Sequence, residues 1–205
     1  MRRLAILGAS GHGKVIADIA ECCGWQDLVF FDDAWPCRSA NGCWQINGNT
    51  ESLLSTLDQF DGVIVGIGNN KIRQEKQQML MAHGARMVSL VHPQAIISSH
   101  STLGVGSVIM AGAVLNVDAV IGCGVVLNTA CSVDHDCLLG DFVHVSPGAH
   151  LAGGVHVGQL SWIGIGASVR QSVKIGVATM VGAGAVVVNN VVDGLTVVGV
   201  PARSK

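Results

Sequence analysis

A six-residue repeat fills the C-terminal half of the chain and constrains its fold more than any other feature. From Val91 the sequence divides into 17 consecutive hexads, ending at Val192, without an insertion. Every first residue is Val, Ile or Leu, and every fifth residue is Ala, Ser, Thr, Cys or Val. This register predicts a parallel β-helix in which three hexads form one triangular coil. We expect just under six coils, with the first residues pointing inward and the small fifth residues allowing the chain to turn.

Residues 1–91 have a different pattern, in which short apolar runs alternate with longer amphipathic ones. Four runs are typical of strands: RLAILG, DLVFFDD, GVIVGIGNN and RMVSLVH. Two segments, HGKVIADIAECCG and KIRQEKQQMLMAHG, indicate helices, and a shorter helix is predicted over 51–59. Alternating strands and helices favour a parallel, Rossmann-like α/β sheet. The predicted organisation is therefore an α/β domain over 1–91 followed by a β-helix over 92–205.

The glycine-rich stretch ILGASGHGKV, at 6–15, lies at the first strand-to-helix junction. It is not a P-loop, because Val15 stands where that motif needs Ser or Thr to hold Mg²⁺. The dinucleotide motif fails as well, because Ile16 takes the place of its third glycine. A glycine turn before a helix still presents N–H groups to a diphosphate. Asp32 follows Gly11 by 21 residues, where an acid can bond a ribose or base.

Composition excludes several classes of function. Charged residues make up 13% of the chain and the net charge is −2, so neither a nucleic acid nor an anionic membrane is an expected partner. The low fraction of charged residues fits a subunit that is partly buried in an oligomer. The apolar run near Met1 has about six residues, fewer than the roughly 7–15 of a secretory leader, and no run approaches the roughly 18 residues of a membrane span, so we expect a cytoplasmic protein. The seven cysteines form no CxxC pair, and Cys131 and Cys137, both at fifth positions, are expected to be buried and inert.

The most polar point of the predicted β-helix is VDHDC, where His135 lies between Asp134 and Asp136. A histidine beside a carboxylate is held in one tautomer and made more basic, which suits a general base. For such a pair alone, a surface histidine with two solvated acids is the favoured interpretation. Only four acids lie between Pro93 and Val192, and two of them flank this histidine, which leaves both interpretations open. Residues 18 apart stack on neighbouring coils, so His100 and Asp118 fall in one column with Asp136.

Three more histidines, at 144, 150 and 156, occupy the sixth positions of consecutive hexads. They should point about 120° apart because three hexads make one coil, and so should not converge on one metal within a chain. This weakens the alternative of a trimeric β-helix zinc enzyme, although convergence across chains stays open. We expect no metal cofactor.

Basic residues after position 86 are confined to the end of the chain: Arg170, Lys174, Arg203 and Lys205. A ligand with several phosphates lying along the β-helix would place its anionic end there. A purely structural solenoid, such as an ice-binding protein, is the alternative, but no outward column repeats one residue type.

Together these motifs resemble the NeuD/PglD-like sugar acetyltransferases. Hexads followed by GVPAR (199–203) are similar to the β-helix acyltransferases that use acetyl-CoA or acyl carrier protein. The segments GASGHGKV, FDD and IGNNKIR are similar to the NeuD/PglD-like branch of those enzymes. The resemblance implies a left-handed β-helix, opposite to the usual crossover hand. It also implies a homotrimer with active sites between neighbouring β-helices, acetyl-CoA as co-substrate, and a role in cell-surface polysaccharide biosynthesis.

The resemblance further implies roles for individual residues. His135 is expected to be the general base and Asp136 to raise its basicity. The residues implied for acetyl-CoA are His144, Gly153, Ile165 and Ala183, the last of which stands where the family has glycine. The nucleotide-sugar is expected in the N-terminal domain, on Ser10, Gly11, His12, Asp32, Asp33 and Gly68.

The implied reaction is N-acetylation of a UDP- or dTDP-linked 4-amino-sugar, by direct transfer in a ternary complex. The Gly153 backbone is a candidate donor to the oxyanion. O-acetylation of a free sugar such as a sialic acid, and a non-catalytic nucleotide-sugar-binding scaffold, are the two alternatives.

Overall fold

The computed structural model describes residues 2–205, which form two units, residues 2–92 and residues 93–205. No helix in the described part of the chain is long and apolar enough to cross a membrane. The N-terminal unit contains β1 (Arg3–Leu7), α1 (Gly11–Cys22), β2 (Asp27–Phe31), β3 (Ala40–Asn41), β4 (Trp44–Gln45), α2 (Thr50–Leu54), a 3₁₀ turn (Leu57–Gln59), β5 (Gly62–Val65), α3 (Asn70–Ala82) and β6 (Leu90–Val91).

A three-stranded parallel sheet in the order β2-β1-β5 forms the centre of the N-terminal unit. Its strands are almost wholly apolar because helices cover a parallel sheet. The predicted fourth strand does not join this sheet: only a parallel bridge between Val63 and Met87 remains of it, and β6 lies outside the sheet. The predicted helix over 51–59 is also wrong in extent, since it breaks after α2. There the Ser55 and Thr56 hydroxyls donate to the Ser52 carbonyl oxygen at 2.9 and 2.8 Å, which competes with helix continuation.

Three glycines set the distance between α1 and the sheet. Gly8 ends β1 with φ +112°, a conformation that L side chains rarely adopt. A Cβ on Gly66 would lie 2.8 Å from the Gly8 oxygen and 2.9 Å from the Gly13 Cα. A Cβ on Gly13 would overlap the Gly8 carbonyl oxygen. Gly13 therefore provides the close helix-to-strand packing that the third glycine gives in dinucleotide-binding folds.

Gly13→Ala should destabilise the N-terminal unit by about 1–3 kcal/mol, because its methyl group would meet backbone atoms rather than a movable side chain. Gly11→Ala is the matched control, since nothing lies within 4 Å of its added Cβ. Urea unfolding followed by far-UV circular dichroism measures the difference. Equal midpoints for the two variants would show that Gly13 is not a packing requirement.

The C-terminal unit is a parallel β-solenoid of about six turns, as the hexads predict. Its strands form three faces. Face A comprises Ile96–Ile97 (β7), Val114–Leu115 (β10), Ser132–Val133 (β13), His150–Leu151 (β16), Ser168–Val169 (β19) and Val186–Val187 (β22). Face B comprises Thr102–Leu103 (β8), Val120–Ile121 (β11), Leu138–Leu139 (β14), His156–Val157 (β17) and Lys174–Ile175 (β20). Face C includes Val108–Ile109 (β9), Val126–Leu127 (β12), His144–Val145 (β15), Trp162–Ile163 (β18), Met180–Val181 (β21), Thr196–Val198 (β23) and Arg203–Ser204 (β24).

The stacking interval of 18 residues is confirmed by the strand register. Val114 pairs with Ser132 and Ser132 with His150 on face A, and the same interval holds on the other faces up to β20 and β21. At the last coil the interval shortens to 16, where Met180 pairs with Thr196. The first residues of the hexads are buried from Ile109 onward, for example Val133 and Val145, and half-buried in the three hexads before it. Inward aliphatic residues from every coil therefore form one continuous core.

In most hexads the residue that turns the chain is the fourth, which corrects the sequence expectation. Seven non-glycine residues at fourth positions adopt left-handed backbone, among them Asp118 and Asp136 at φ +59° and Phe142 at φ +58°. The small fifth residues from Ser107 to Ala185, among them Cys131 and Cys137, are instead buried. Each coil thus turns on residues three and four, and a small fifth side chain is required because it points into the crowded interior.

Candidate functional site

The three edges of the solenoid carry the third and fourth hexad residues and separate the faces. The edge between faces A and B, called the A–B edge, presents His135 and Asp136 and, one coil further on, Gly153. The edge between faces C and A, called the C–A edge, presents Ile165 and Ala183. In a triangular coil, face C lies opposite the A–B edge. Candidate residues on face C therefore do not meet those on the A–B edge within one chain.

His135 and Asp136 form a hydrogen-bonded pair on the A–B edge. The His135 Nδ1 lies 2.7 Å from Asp136 Oδ2. A hydrogen on Nδ1 that is donated to this carboxylate leaves Nε2 as the ring atom able to accept a proton. The hydrogen bond to Asp136 is the main reason that the pKa of His135 is raised above its ordinary value, and the negative charges of Asp134 and Asp136 add to it. The pair is solvent-exposed and has the properties of a general base.

The turn that carries this pair is itself held by hydrogen bonds. Asp134 Oδ1 accepts from the His135 N–H at 3.0 Å and from the Asn116 side-chain amide, one coil earlier, at 2.9 Å. The Gly154 N–H donates to the His135 carbonyl at 2.9 Å from the coil that follows. Contacts from both neighbouring coils therefore fix the backbone from which the imidazole projects.

His144 has a very different environment on face C. Its side chain is 4% exposed, and its ring stacks on Trp162 with centroids 3.9 Å apart. The Asn128 amide nitrogen lies 3.2 Å from His144 Nε2. Packing and this hydrogen bond hold the imidazole in one orientation, which a ligand-positioning role requires.

The sixth-position histidines lie on three separate faces, as their spacing predicts. His144 is on face C, His150 on face A and His156 on face B. His150 Nδ1 lies 2.8 Å from the Ser132 hydroxyl in the coil before it. Within residues 2–205, no group of three or more His, Cys, Asp or Glu is arranged to hold a metal ion.

The residues implied for acetyl-CoA do not all come together in one chain. Gly153 lies directly against the His135 ring, because a Cβ there would be 2.5 Å from both Cε1 and Nε2 of the imidazole. Ile165 and Ala183 are exposed neighbours on the C–A edge, where the Gly184 N–H donates to the Ile165 carbonyl at 2.8 Å. His144 lies on the face opposite His135. A single chain therefore separates the general-base candidate from three of the four residues implied for acetyl-CoA.

A small pocket occupies the carboxyl ends of the strands in the N-terminal unit. It has a volume of about 220 Å³ and is lined by Leu7, Gly8, Ser10, Asp32, Asp33, Ile67 and Lys76. Asp32 Oδ2 accepts from the Ala9 N–H at 2.7 Å, and its Oδ1 accepts from the Ala34 N–H at 2.9 Å. This carboxylate therefore ties the glycine turn to the end of β2.

Asp33 is joined to two other elements of the same unit. Its carboxylate binds Lys76 Nζ at 2.7 Å and accepts from the Thr50 N–H at 2.9 Å. Burial acts to raise the pKa of Asp33, but the bonds from Lys76 and Thr50 and the Lys76 charge outweigh it and lower the pKa to about 2. At neutral pH this site therefore holds a carboxylate and an ammonium group side by side.

The beginning of α1 contains the other predicted residues. Ser10 is the N-cap, and its carbonyl accepts from the Asn41 amide at 3.1 Å. Burial, followed by the positive charge of Arg73, lowers the pKa of His12 to about 4, so this imidazole is neutral at physiological pH. Gly68 faces His12, since its Cβ would lie 4.0 Å from the His12 Cβ. The carbonyl of Gly68 in turn accepts from buried Arg73 at 2.8 Å.

Comparisons with known proteins decide the family. Residues 3–80 match the family described as the PglD N-terminal domain. The acetyltransferase domain of PglB from Neisseria gonorrhoeae FA1090, solved in complex with acetyl coenzyme A, is 44% identical, with a TM-score of 0.95 over 100% of this chain and 99% of that one. PerB from Caulobacter crescentus, solved with CoA and GDP-perosamine, is 36% identical, with a TM-score of 0.95 over 100% and 98% of the two chains. The GDP-perosamine N-acetyltransferase of Escherichia coli O157:H7 is 32% identical over 159 residues, which are 75% of this chain and 71% of that protein.

The chain belongs to the NeuD/PglD-like sugar acetyltransferase family. The resemblance carried by its motifs is thereby confirmed, and so is the expected class of enzyme, an acetyltransferase.

Sequence reasoning missed four residues that stand next to the candidate sites of this NeuD/PglD-like chain. They are Asn128 and Trp162 around His144, and Arg73 and Lys76 in the N-terminal unit. The hexad register did contain the signal for Trp162, because it lies 18 residues after His144. No comparable signal marks Lys76, since its pairing with Asp33 depends on how α3 packs.

The two cysteines at fifth positions of the β-helix, Cys131 and Cys137, are unsuited to carrying the acyl group. Cys131 and Cys137 are both buried, as expected. Burial raises the pKa of Cys131 to about 12 and also raises that of Cys137. Thiols that remain protonated at neutral pH are poor nucleophiles. Neither of these two cysteines is therefore suited to forming an acyl-cysteine intermediate.

Proposed function

We propose that the protein transfers an acetyl group from acetyl-CoA to the amine of a nucleotide-linked 4-amino-sugar, with UDP or dTDP as the nucleotide. The observation that carries this proposal is the His135–Asp136 pair, an exposed imidazole held at 2.7 Å by a carboxylate. Relatives whose chains cover nearly all of this one bind CoA or acetyl-CoA, and one of them also holds GDP-perosamine. The names of these relatives support both the donor and the class of acceptor.

The reaction is a direct transfer within a ternary complex. The neutral sugar amine attacks the thioester carbonyl carbon, and His135 Nε2 takes the proton that the amine nitrogen loses. The tetrahedral oxyanion then collapses, the C–S bond breaks, and the CoA sulfur receives the proton from the imidazolium. Asp136 stabilises the imidazolium and keeps Nδ1 as the protonated ring nitrogen. The Gly153 N–H is the proposed donor to the oxyanion.

The N-terminal unit is proposed to be Rossmann-like and to hold the nucleotide-sugar. The glycine turn and the first N–H groups of α1, at Ser10, Gly11 and His12, suit a diphosphate. The pocket beside this turn presents Asp32, Asp33 and Lys76, so both hydrogen-bond acceptors and a cation are available. Gly68 completes the proposed site next to His12.

The β-helix is proposed to be left-handed and to assemble as a homotrimer. His135 and His144 lie on opposite sides of one coil, so a site that uses both needs a second chain. Apolar side chains at sixth positions of face B are exposed, with Val120 at 46% and Leu138 at 42%, which suits burial against another subunit. In such a trimer, His144, Ile165 and Ala183 of one chain would hold acetyl-CoA beside His135 of a neighbour.

A test of the function is an assay for free CoA thiol over a panel of GDP-, UDP- and dTDP-linked 4-amino-sugars, with free sialic acid as the hydroxyl acceptor. We expect thiol release with at least one nucleotide-linked amine and a product that mass spectrometry and NMR show to be N-acetylated. Release with sialic acid alone would favour the O-acetyltransferase alternative. Binding of nucleotide-sugar without any thiol release would favour the scaffold alternative.

A further inference from the structure

Glycine occurs only once among the third residues of the 17 hexads, at Gly153. The other third positions hold a range of side chains, including Val, Cys, Thr, Asp, Pro, Gln and Ile. The third position of a coil therefore does not itself require glycine. The single exception lies one coil after His135, in the same column of the A–B edge.

The backbone at this point also does not demand a glycine. Gly153 is not among the glycines with positive φ, so its conformation is open to other residues. Val117 and Gln171 occupy the same column in nearby coils, and both carry exposed side chains. The requirement for glycine at 153 must come from something outside the main chain.

The His135 imidazole supplies that requirement. A Cβ at position 153 would lie 2.5 Å from the ring atoms Cε1 and Nε2 and 3.1 Å from Nδ1. All three of these contacts are with the imidazole of His135, and carbon and nitrogen atoms do not approach so closely without displacement. The ring therefore lies over the Gly153 Cα, in the space that any other residue would fill.

We propose that Gly153 is a positioning residue for His135: its missing side chain lets the imidazole lie along the A–B edge with Nδ1 on Asp136. The inference rests on the proposed role of His135 as the base. It assigns Gly153 a steric function that is separate from any hydrogen bond donated by its N–H.

Removing this space should turn the ring rather than unfold the chain. The His135 side chain is 57% exposed, so a methyl group at 153 can push it outward into solvent. The charged groups that act on the ring are Asp134 and Asp136 on its own turn. Asp118 lies one coil earlier, in the column of Asp136. A ring displaced from Asp136 loses the hydrogen bond that is the main cause of its raised pKa.

The test compares Gly153→Ala with Gln171→Ala, the matched control one coil further on. Histidine ¹⁵N NMR of the full-length protein reports the tautomer and pKa of His135, and kcat/KM is measured against pH. In Gly153→Ala, we expect the His135 pKa to fall towards its ordinary value, Nδ1 to lose its preference for the proton, and kcat/KM to drop by about ten- to a hundredfold. Gln171→Ala should match the wild type in all three measurements.

Two outcomes would overturn the inference. One is a Gly153→Ala enzyme whose His135 tautomer and pKa are unchanged, because lost activity would then reflect the oxyanion donor or substrate access. The other is a fall in melting temperature on Gly153→Ala that is equally large in a His135→Ala background, because the glycine would then serve the backbone. Full activity of His135→Ala would instead refute the proposed function, whichever way the NMR measurement comes out.

Discussion

Replacing His135 with alanine is expected to lower kcat by about 10²–10⁴-fold. The alanine side chain cannot accept the proton that the sugar amine loses as it attacks the thioester. The imidazole is exposed and makes its side-chain bond with Asp136, so its removal should leave the β-helix core intact. Steady-state rates of thiol release with a saturating nucleotide-linked amine measure the effect, while calorimetry checks that acetyl-CoA still binds.

The matched control for this variant is His100→Ala. His100 is an exposed histidine on the same A–B edge, two coils earlier in the column of Asp136, and has no proposed role. We expect wild-type rates from it. A His135→Ala enzyme with nearly normal kcat would show that another group, or water, removes the proton.

Replacing Asp136 with asparagine is expected to reduce kcat/KM by about ten- to a hundredfold above the pKa of the base, because the imidazolium loses its anionic partner. The Asp136 hydrogen bond raises the pKa of His135, so the wild-type base stays protonated, and inactive, to a higher pH than an ordinary histidine does. In the variant that pKa should fall, and the acidic limb of the pH–rate profile should move to lower pH. Profiles of kcat/KM from pH 5 to 9 measure both changes.

Asp118→Asn provides a closely matched control. Asp118 occupies the same column one coil earlier, and its φ of +59° equals that of Asp136. Asparagine tolerates this left-handed backbone in both places. If the acidic limb keeps its position in Asp136→Asn, or moves equally in Asp118→Asn, the local hydrogen bond is not what sets the basicity of His135.

The hexad register contained most of the information about the C-terminal unit. It predicted the strand pairing at intervals of 18, the buried first residues and the separation of His144, His150 and His156, because a repeat with no insertion fixes which residues stack. It did not reveal which residue turns the chain. The left-handed fourth position is occupied by residues as different as Phe142 and Asp136, so composition gave no signal there.

The environment of individual side chains was less accessible from the sequence. The contact between Gly153 and the His135 ring depends on a rotamer, and the Asp33–Lys76 pair depends on how α3 packs against the end of β2. Family resemblance named Asp33 as a ligand for substrate, while the structure shows its carboxylate already bonded to Lys76 and to Thr50. Such pairs follow from three-dimensional packing, which a one-dimensional pattern does not encode.

The central claim is that one active site combines His135 from the A–B edge of one chain with His144 from face C of another. Mixed trimers formed by co-expressing His135→Ala and His144→Ala chains test it most directly, assayed at limiting acetyl-CoA. Random assembly of a cyclic trimer from equal amounts should give about a quarter of the sites both intact histidines, so activity should rise well above that of either variant alone. Activity no greater than the average of the two separate variants would contradict the claim.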